Sequence, residues 1–236
     1  MNKGTLYLIP TLIAEGTSKV INEQVRSTLK LLDYFLVENV RTARRYISAL
    51  NLGLTIEELE FKELNKNTAH SEITELMRPA LSGQSIGILS ESGCPGVADP
   101  GAQAVSFAHR NGIKVMPLVG PSSILLALMG SGLNGQKFTF QGYLPIKSSD
   151  LRITIGNLER SSTQEGFAHI FIEAPYRNQQ LFSSLINMAK EDTLLCVARD
   201  LTGSAEYVKT MTIKEWKNEK LNLRKTPTIF ILQGPP

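Results

Sequence analysis

The sequence predicts an α/β protein made of two α/β domains. Strand and helix patterns alternate along the first half, which is typical of a parallel sheet covered by helices on both faces. The second half opens with a strand that has one polar face, and its last two strands are joined by a segment around Trp216 that need not be a full crossover. We therefore expect a mainly parallel sheet in the N-terminal domain and a mixed sheet in the C-terminal domain.

Apolar periodicity, cap residues and glycine or proline stops predict the elements of the first half. Strands are expected over 6–9, 34–37, 86–89 and 114–118. Helices are expected from a cap at Thr17 or Ser18 to Leu29, over 41–50, from a cap at Thr68 or Ser71 to Leu81, from Pro100 to Ala108, and over 124–129.

In the second half, strands are expected over 138–143, 168–172, 194–198, 207–211 and 228–232, and helices over 151–158 and 178–189. A glycine-rich stretch at 132–137 is the predicted boundary, which gives domains over 1–133 and 134–236. Two compact lobes with a short connection predict a cleft between them, where small-molecule sites are common.

The composition and the cysteine count argue against several classes of protein. No apolar run approaches the ~20 residues that span a membrane, and Met1 leads into a strand without a signal-peptide pattern, so we expect a cytoplasmic protein. Cys94 and Cys196 form no C-x-x-C pair, and the histidines are scattered, so no metal site is predicted. The net charge of +3 does not by itself indicate a nucleic-acid-binding protein, although basic residues cluster at 41–45 and 214–225. A solvated helix face would explain either cluster.

The most informative segment runs from Ser90 to Gly101 and holds three glycines and two prolines directly after a buried strand. Glycines allow close approach of the main chain or a positive φ, and prolines fix φ and remove donors. In an open α/β sheet such loops lie at the carboxyl ends of strands, where ligands bind. The loop is therefore predicted to present backbone to a ligand, unless it is only a demanding turn.

Familiar catalytic motifs do not account for this loop. The chain has no G-x-x-x-x-G-K-[ST] and no G-x-G-x-x-G after its first strand, which removes most support for nucleotide triphosphates and dinucleotides. It also lacks a G-x-S-x-G elbow, so a serine hydrolase is weakly supported.

Eight short segments, taken in order, resemble the tetrapyrrole-methylase superfamily, and most closely its ribosomal RNA small-subunit methyltransferase I branch. They are Leu8-Ile9-Pro10-Thr11, Glu38 to Thr42, Ser90 to Gly101, Gly120 to Ser123, Ser131 to Leu133, Phe140 to Pro145, Glu173 to Arg177 and Ala198 to Thr202. The resemblance spans nearly the whole chain. It implies an S-adenosylmethionine-dependent methyltransferase, in this branch one that methylates a cytidine ribose 2′-oxygen.

The resemblance also implies a homodimer of two-domain subunits, each holding the cofactor in its cleft. The cofactor-binding residues carried over are Pro10, Ser90, Gly93, Val97, Ala98, Asp99, Ser122, Ser123, Ala174, Ala198 and Thr228. Many of these contacts would be made by main-chain atoms.

Glu38 is the candidate catalytic base, because a ribose hydroxyl is a poor nucleophile and Glu38 follows a strand's carboxyl end. Pairing with Arg41 or capping the next helix is the alternative role for this acid. A path for RNA phosphates is predicted from Arg41, Arg44, Lys147, Arg152, Arg177 and Arg199. For Arg199 an internal ion pair with Asp200 is equally plausible, and Glu173 could hold Arg177 in place.

The chain departs from the family pattern at Asn39, Glu91 and Tyr176, where the family usually carries Asp, Asp and His. These positions face the expected entry of the nucleotide. Two alternatives to the ribosomal RNA enzyme therefore stay open: a methyltransferase for tetrapyrrole (corrin) precursors on the same scaffold, and a protein that binds the cofactor without turnover.

Overall fold

The structure is a computed structural model that describes residues 2–235. The chain divides into two compact units, the first ending at Ser122 and the second beginning at Ser123. Each unit contains one five-stranded sheet. In the first unit all the strands are parallel, and in the second they are mixed, which confirms the predicted fold class.

The sheet of the first unit has the strand order β3-β2-β4-β1-β5. Its strands are β1 (Thr5–Ile9), β2 (Tyr34–Val37), β3 (Glu60–Glu63), β4 (Ile86–Leu89) and β5 (Lys114–Pro117). Its α-helices are α1 (Glu23–Leu29), α2 (Val40–Ala49), α3 (His70–Leu81) and α4 (Ala102–Arg110), and short 3₁₀ helices cover Ser18–Val20 and Ile56–Glu58.

Two separate apolar clusters cover the two faces of this sheet. On one face Phe35 and Val37 pack with side chains of α1 and α2, and on the other Leu36 packs with side chains of α3 and α4. The alternation of neighbouring residues between faces explains why β2 reads as a continuous apolar run. The helix pairs on opposite faces leave the carboxyl ends of the strands to the connecting loops.

One local expectation for this unit was wrong, and one strand was missed. The predicted helix from Thr17 or Ser18 is interrupted at Ile21, and α1 starts only after Asn22, whose side chain accepts a hydrogen bond from the Val25 N–H. Strand β3 was not predicted at all. Its sequence, Glu-Phe-Lys-Glu, is mostly charged, as is common where a strand lies at a sheet edge and needs protection against pairing with other chains.

The sheet of the second unit has the order β6-β7-β10-β8-β9. Its strands are β6 (Phe138–Tyr143), β7 (Ala168–Ile172), β8 (Leu194–Arg199), β9 (Tyr207–Thr212) and β10 (Thr228–Gln233). Strands β6 and β7 are parallel, and the other neighbours are antiparallel. The helices are α5 (Ser123–Ser131), α6 (Ser148–Glu165), α7 (Asn178–Met188) and α8 (Ile213–Trp216).

Helices α6, α7 and α8 share one apolar cluster with one face of this sheet, around Phe171, Phe230 and Trp216. Helix α5 lies against β8, β9 and β10. The Thr210 hydroxyl donates to the Ser131 carbonyl at 2.6 Å, and Gly130 lies close to Val208. The structure therefore places α5 with the second unit, whereas the predicted boundary at 133/134 places it with the first. Its nearly uniform apolar sequence gave no sign of which sheet it covers.

Within residues 2–235, no helix is long and apolar enough to cross a membrane.

Candidate functional site

The candidate site of the first unit is built where its parallel strands end. Pro10 follows β1, Glu38 follows β2, Ser90 follows β4 and Leu118 follows β5. Because all the strands run in the same direction, these four connections meet at one edge of the sheet. The structure thus brings together the segments of the first unit that the sequence singled out.

The loop from Ser90 to Gly101 is held to the sheet by buried hydrogen bonds. The Ser90 hydroxyl donates to the Gly93 carbonyl at 2.8 Å and lies 3.4 Å from the Thr11 hydroxyl. The Thr11 N–H donates to the same Gly93 carbonyl at 2.9 Å. Since Ser90 is only 6% exposed, its side chain serves to anchor the loop.

Farther along the loop, Asp99 organises the backbone. Its Oδ1 accepts hydrogen bonds from the N–H groups of Gly96 at 3.2 Å and Gly101 at 2.9 Å. Gly93, Gly96 and Ala98 all have positive φ, and for Ala98 that conformation is unfavourable without support from its surroundings. Val97 and Ala98 are exposed, and the Ala98 N–H has no hydrogen-bond partner within residues 2–235.

This geometry fits a ligand that is recognised through main-chain atoms. A rigid loop with an exposed, unpaired amide can hold a polar small molecule without rearrangement. That Val97, Ala98 and Asp99 bind a cofactor stays a prediction. The backbone geometry of the loop is compatible with it.

Pro10 packs tightly against Gly120. A Cβ built on Gly120 would lie 2.1 Å from Cγ of Pro10, so this position has no room for a side chain. The Pro10 carbonyl accepts a 2.9 Å hydrogen bond from the buried hydroxyl of Tyr46, and burial raises the pKa of that hydroxyl. The thiol of Cys94 donates to the Pro121 carbonyl at 3.3 Å. Three loops are thus locked together at the sheet edge.

Replacing Gly120 with alanine is expected to lower the free energy of unfolding by about 1–3 kcal/mol, because the ring of Pro10 cannot yield. Gly135→Ala is the control, since that Cβ meets nothing within 4 Å. Thermal unfolding followed by circular dichroism measures both. Equal melting temperatures for the two variants would show that the 2.1 Å approach is relieved at no cost.

Glu38 is half-buried at the same edge. Its Oε2 accepts a hydrogen bond from the Glu91 N–H at 3.3 Å. Burial raises the pKa of the Glu38 carboxyl, and the neighbouring Asp99 raises this pKa further, while the hydrogen bond from Glu91 opposes the shift. The carboxyl is therefore a better proton acceptor than an exposed glutamate.

The alternative roles considered for Glu38 are not those it plays. The cap of α2 is Asn39, whose side chain accepts a hydrogen bond from the Thr42 N–H at 3.1 Å. No ion pair joins Glu38 to Arg41 in the described part of the chain, and Arg41 is exposed. Asn39, a departure from the family pattern, thus has a local structural role that aspartate would also serve.

A cavity of about 460 Å³ lies next to Glu91, on the side of α2. It is lined by residues 11–16 of the loop after β1, by residues 90–92, and by Thr42, Ala43, Arg45, Tyr46 and Ala49 of α2. The helix residues recur at the three- and four-residue spacing of one helix face. The sequence did not predict this cavity, because it depends on how the loop after β1 bends over α2.

In the second unit the motif residues also gather at one sheet edge. Arg199 is paired with Thr228 on one side and with Tyr207 on the other. Glu173 directly follows Ile172, the residue paired with Ile229. The register therefore places Glu173, Thr228, Arg199 and Tyr207 in one row across the sheet.

The two arginines of this edge are held by other groups of the protein. Arg177 Nη2 lies 3.2 Å from Glu173 Oε2, and these side chains are 19% and 6% exposed. Arg199 Nη1 donates to the Asn222 carbonyl at 2.7 Å, and its guanidinium lies 5.5 Å from the centre of the Tyr207 ring. In both arginines Nε is buried without a hydrogen-bond partner in the described residues.

The ion pair between Arg199 and Asp200, the alternative considered from the sequence, does not form among the described residues. Asp200 Oδ2 instead accepts a hydrogen bond from the Ala205 N–H at 2.7 Å. The suggested contact between Glu173 and Arg177 does form. Arg177 and Arg199 thus stabilise the second unit, and the prediction that they bind substrate stays untested.

The remaining predicted residues of this unit do not share one surface. Ala198 and Thr228 lie on opposite faces of the sheet, because Thr228 is paired with Arg199, the next residue after Ala198. Both are buried. Ala174 follows β7 and is partly exposed, Ser123 is the first residue of α5, and Lys147 and Arg152 are exposed at the start of α6. The roles predicted for these residues stay predictions.

No protein-family model matches the sequence. The chain is 30% identical over 235 residues to ribosomal RNA small subunit methyltransferase I of Xylella fastidiosa, covering 98% of this chain and 82% of that protein. It is 31% identical over 219 residues to the protein of the same name from Bacillus subtilis, covering 92% and 71%.

Solved structures with the same fold include diphthine synthase, with a TM-score of 0.67 at 14% identity over 98% of this chain and 89% of that one. Another is uroporphyrin-III C-methyltransferase from Thermus thermophilus in complex with S-adenosylhomocysteine, with a TM-score of 0.55 at 19% identity over 98% and 97% of the two chains. At these identities the likeness concerns the fold alone.

Proposed function

Because the chain belongs to the ribosomal RNA small subunit methyltransferase I family, we propose that it methylates a ribose 2′-hydroxyl of small-subunit ribosomal RNA with S-adenosylmethionine. That it is a methyltransferase follows from its similarity to that family over 92–98% of this chain. The structural observation that carries the rest is the half-buried carboxylate of Glu38 beside the loop from Ser90 to Gly101.

The first unit supplies the main part of the proposed cofactor site. The exposed backbone at Val97 and Ala98, the close packing of Pro10 on Gly120, and the rigid turn around Asp99 support it. A related fold was solved with S-adenosylhomocysteine, the product of methyl donation. Cofactor contacts by Ser122, Ser123, Ala174, Ala198 and Thr228 remain part of the proposal.

S-adenosylmethionine, when bound, supplies a methyl group on a sulfonium that is already activated for transfer. The protein's share is then to position the acceptor and to remove its proton. Glu38 would take the proton of the acceptor hydroxyl as its oxygen becomes methylated. The raised pKa of the Glu38 carboxyl suits it to this step.

The predicted phosphate path divides into two kinds of residue. Arg41, Arg44, Lys147 and Arg152 are exposed and form no ion pair among residues 2–235, so they can reach RNA. Arg177 and Arg199 are held by internal contacts, and we propose that they shape the surface of the second unit without extending to distant phosphates. We also propose a homodimer in the cytoplasm, for which sedimentation equilibrium and cell fractionation are the tests.

The test is transfer of radiolabelled methyl groups from S-adenosylmethionine to small ribosomal subunits taken from cells that lack this protein. We expect label in the RNA and, after nuclease digestion, in a 2′-O-methylated cytidine. Subunits from cells that contain the protein are the control and should accept little label. If the protein binds the methyl donor but labels no RNA, the acceptor is wrong. Label in a tetrapyrrole would support the alternative branch.

A further inference from the structure

A groove runs beside α7 in the second unit. It consists of two cavities of about 540 Å³ each, which share Gln179, Ser183 and Arg224 in their linings. Because these residues line both cavities, the two cavities adjoin, and we call them together the α7 groove. Its walls are α7 and the segment 217–225.

The α7 groove is strongly basic. Its lining contains four cations, Lys217, Lys220, Arg224 and Lys225, and one acid, Glu219. Lys217 is paired with Glu191, and Glu219 is paired with Lys209. The other three cations are exposed and have no ion-pair partner in the described part of the chain. Since the whole chain has a net charge of only +3, three unpaired cations in one groove are a marked concentration.

An exposed aromatic ring lies beside these cations. Tyr176 lines the α7 groove and is 76% exposed, an unusual degree of exposure for so large a side chain. It lies beside Arg224 and Lys225 in the same lining. Cations that follow a phosphate backbone, combined with an exposed ring on which a base can stack, are the features by which proteins bind single-stranded nucleic acid.

Hydrogen bonds within the protein also preorganise one wall of the groove. The Lys225 N–H donates to the Pro175 carbonyl at 3.0 Å, and the buried Asn178 amide donates to the Thr226 carbonyl at 2.6 Å. The Leu223 N–H donates to Gln179 Oε1 at 2.9 Å. These bonds fix residues 223–226, which include Arg224 and Lys225, against the start of α7, so the backbone there loses little conformational entropy when a strand binds.

We infer that the α7 groove binds a single-stranded segment of ribosomal RNA, with Lys220, Arg224 and Lys225 on phosphates and Tyr176 stacked on a base. The inference rests on the proposed function for the identity of the RNA. The amide and hydroxyl side chains of the groove, including Gln180, Ser184 and Asn187, add hydrogen-bonding groups suited to sugars and phosphates. An acidic peptide would satisfy the cations but would leave the tyrosine ring unused.

The experiment measures binding of a fluorescent ten-nucleotide single-stranded RNA to the full chain by anisotropy over a series of salt concentrations. For the variant Lys220→Gln/Arg224→Gln/Lys225→Gln, we expect the slope of log affinity against log salt to fall by about 2, because each phosphate contact on a single strand contributes about 0.7. The matched control is Lys30→Gln/Lys66→Gln/Lys114→Gln, which removes the same charge from exposed positions elsewhere.

The tyrosine has its own test. Tyr176→Ala should weaken RNA binding at least about five-fold, whereas Tyr176→Phe, which keeps the ring, should bind like the wild type. Binding of S-adenosylmethionine, measured by calorimetry, should be unchanged in all these variants. An unchanged salt slope in the first variant, or tighter binding of a poly-glutamate peptide than of RNA, would overturn the inference.

The outcomes separate the two proposals. If the wild type methylates ribosomal RNA but the groove variants bind and methylate it normally, the α7 groove is wrong and the proposed function stands. If the wild type labels no RNA although the groove binds it as described, the proposed acceptor fails while the groove stands as an RNA-binding surface.

Discussion

Replacing Glu38 with glutamine is expected to slow methyl transfer by about 10²–10⁴-fold, the range that a positioned general base contributes. Glutamine keeps the size of the side chain and can still accept the hydrogen bond that Glu91 N–H donates to Oε2. It cannot take the hydroxyl proton. Binding of S-adenosylmethionine should therefore change little, so the loss should appear in the rate of a single turnover and not in the affinity for the methyl donor.

The pH dependence gives an independent check. Because burial and Asp99 raise the pKa of the Glu38 carboxyl, Glu38 is protonated and inactive as a base at low pH, and the rate should rise as pH passes upward through this raised pKa. Glu38→Gln should lose that rise. The control is Glu63→Gln, since Glu63 also ends a strand of the same sheet but is exposed. A wild-type pH profile retained by Glu38→Gln would remove Glu38 from the mechanism.

Removing the carboxylate of Glu173 is expected to produce the largest loss of stability, about 3 kcal/mol for Glu173→Ala. The guanidinium of Arg177 would then keep its charge in a mostly buried place, with Nε already lacking a hydrogen-bond partner among the described residues. The Ala174 N–H would also lose the carboxylate oxygen that accepts it at 2.8 Å. Urea unfolding followed by fluorescence of Trp216 measures this, since it is the only tryptophan and is buried in the second unit.

A surface pair of the same length provides the comparison. Lys209 and Glu219 are also 3.2 Å apart, but their side chains are 43% and 47% exposed, so Glu219→Gln should cost less than about 1 kcal/mol. Replacing both partners of the buried pair, as Glu173→Leu/Arg177→Met, should restore much of the stability that Glu173→Ala loses. If Glu173→Ala and Glu219→Gln cost the same, burial adds nothing to the pair.

Most of the fold could be predicted from the sequence, because strong apolar patterns report directly on burial. The strands at 34–37 and 86–89 agree with the structure residue for residue. Strand β3 was missed, since its charged residues carry no apolar signal and its pairing with β2 alone makes it a strand. The membership of α5 was also hidden, because a helix that is apolar all round does not indicate which sheet it covers.

The candidate site was predictable to a lesser degree. The loop from Ser90 to Gly101 could be recognised, since glycine and proline restrict backbone conformation wherever they occur. The approach of Asp99 to Glu38 could not be predicted, because these residues are distant in the sequence and meet only at the sheet edge. The opposite orientations of Ala198 and Thr228 likewise follow from strand register, which no local pattern reports.

By itself, the sequence determined a two-part α/β fold with a rigid loop at the end of a buried strand, because hydrophobic periodicity and the backbone restrictions of glycine and proline are local properties of the chain. Its ordered motifs carried the resemblance that implied a methyltransferase. Only the tertiary structure decided which side chains are buried, paired or exposed. It raised the pKa of the Glu38 carboxyl and gave Arg177 and Arg199 internal partners. It also left Tyr176 exposed in one groove with three cations that have no ion-pair partner among residues 2–235. Burial, charge pairing and exposure depend on residues far apart in the chain, and folding alone brings those residues into contact.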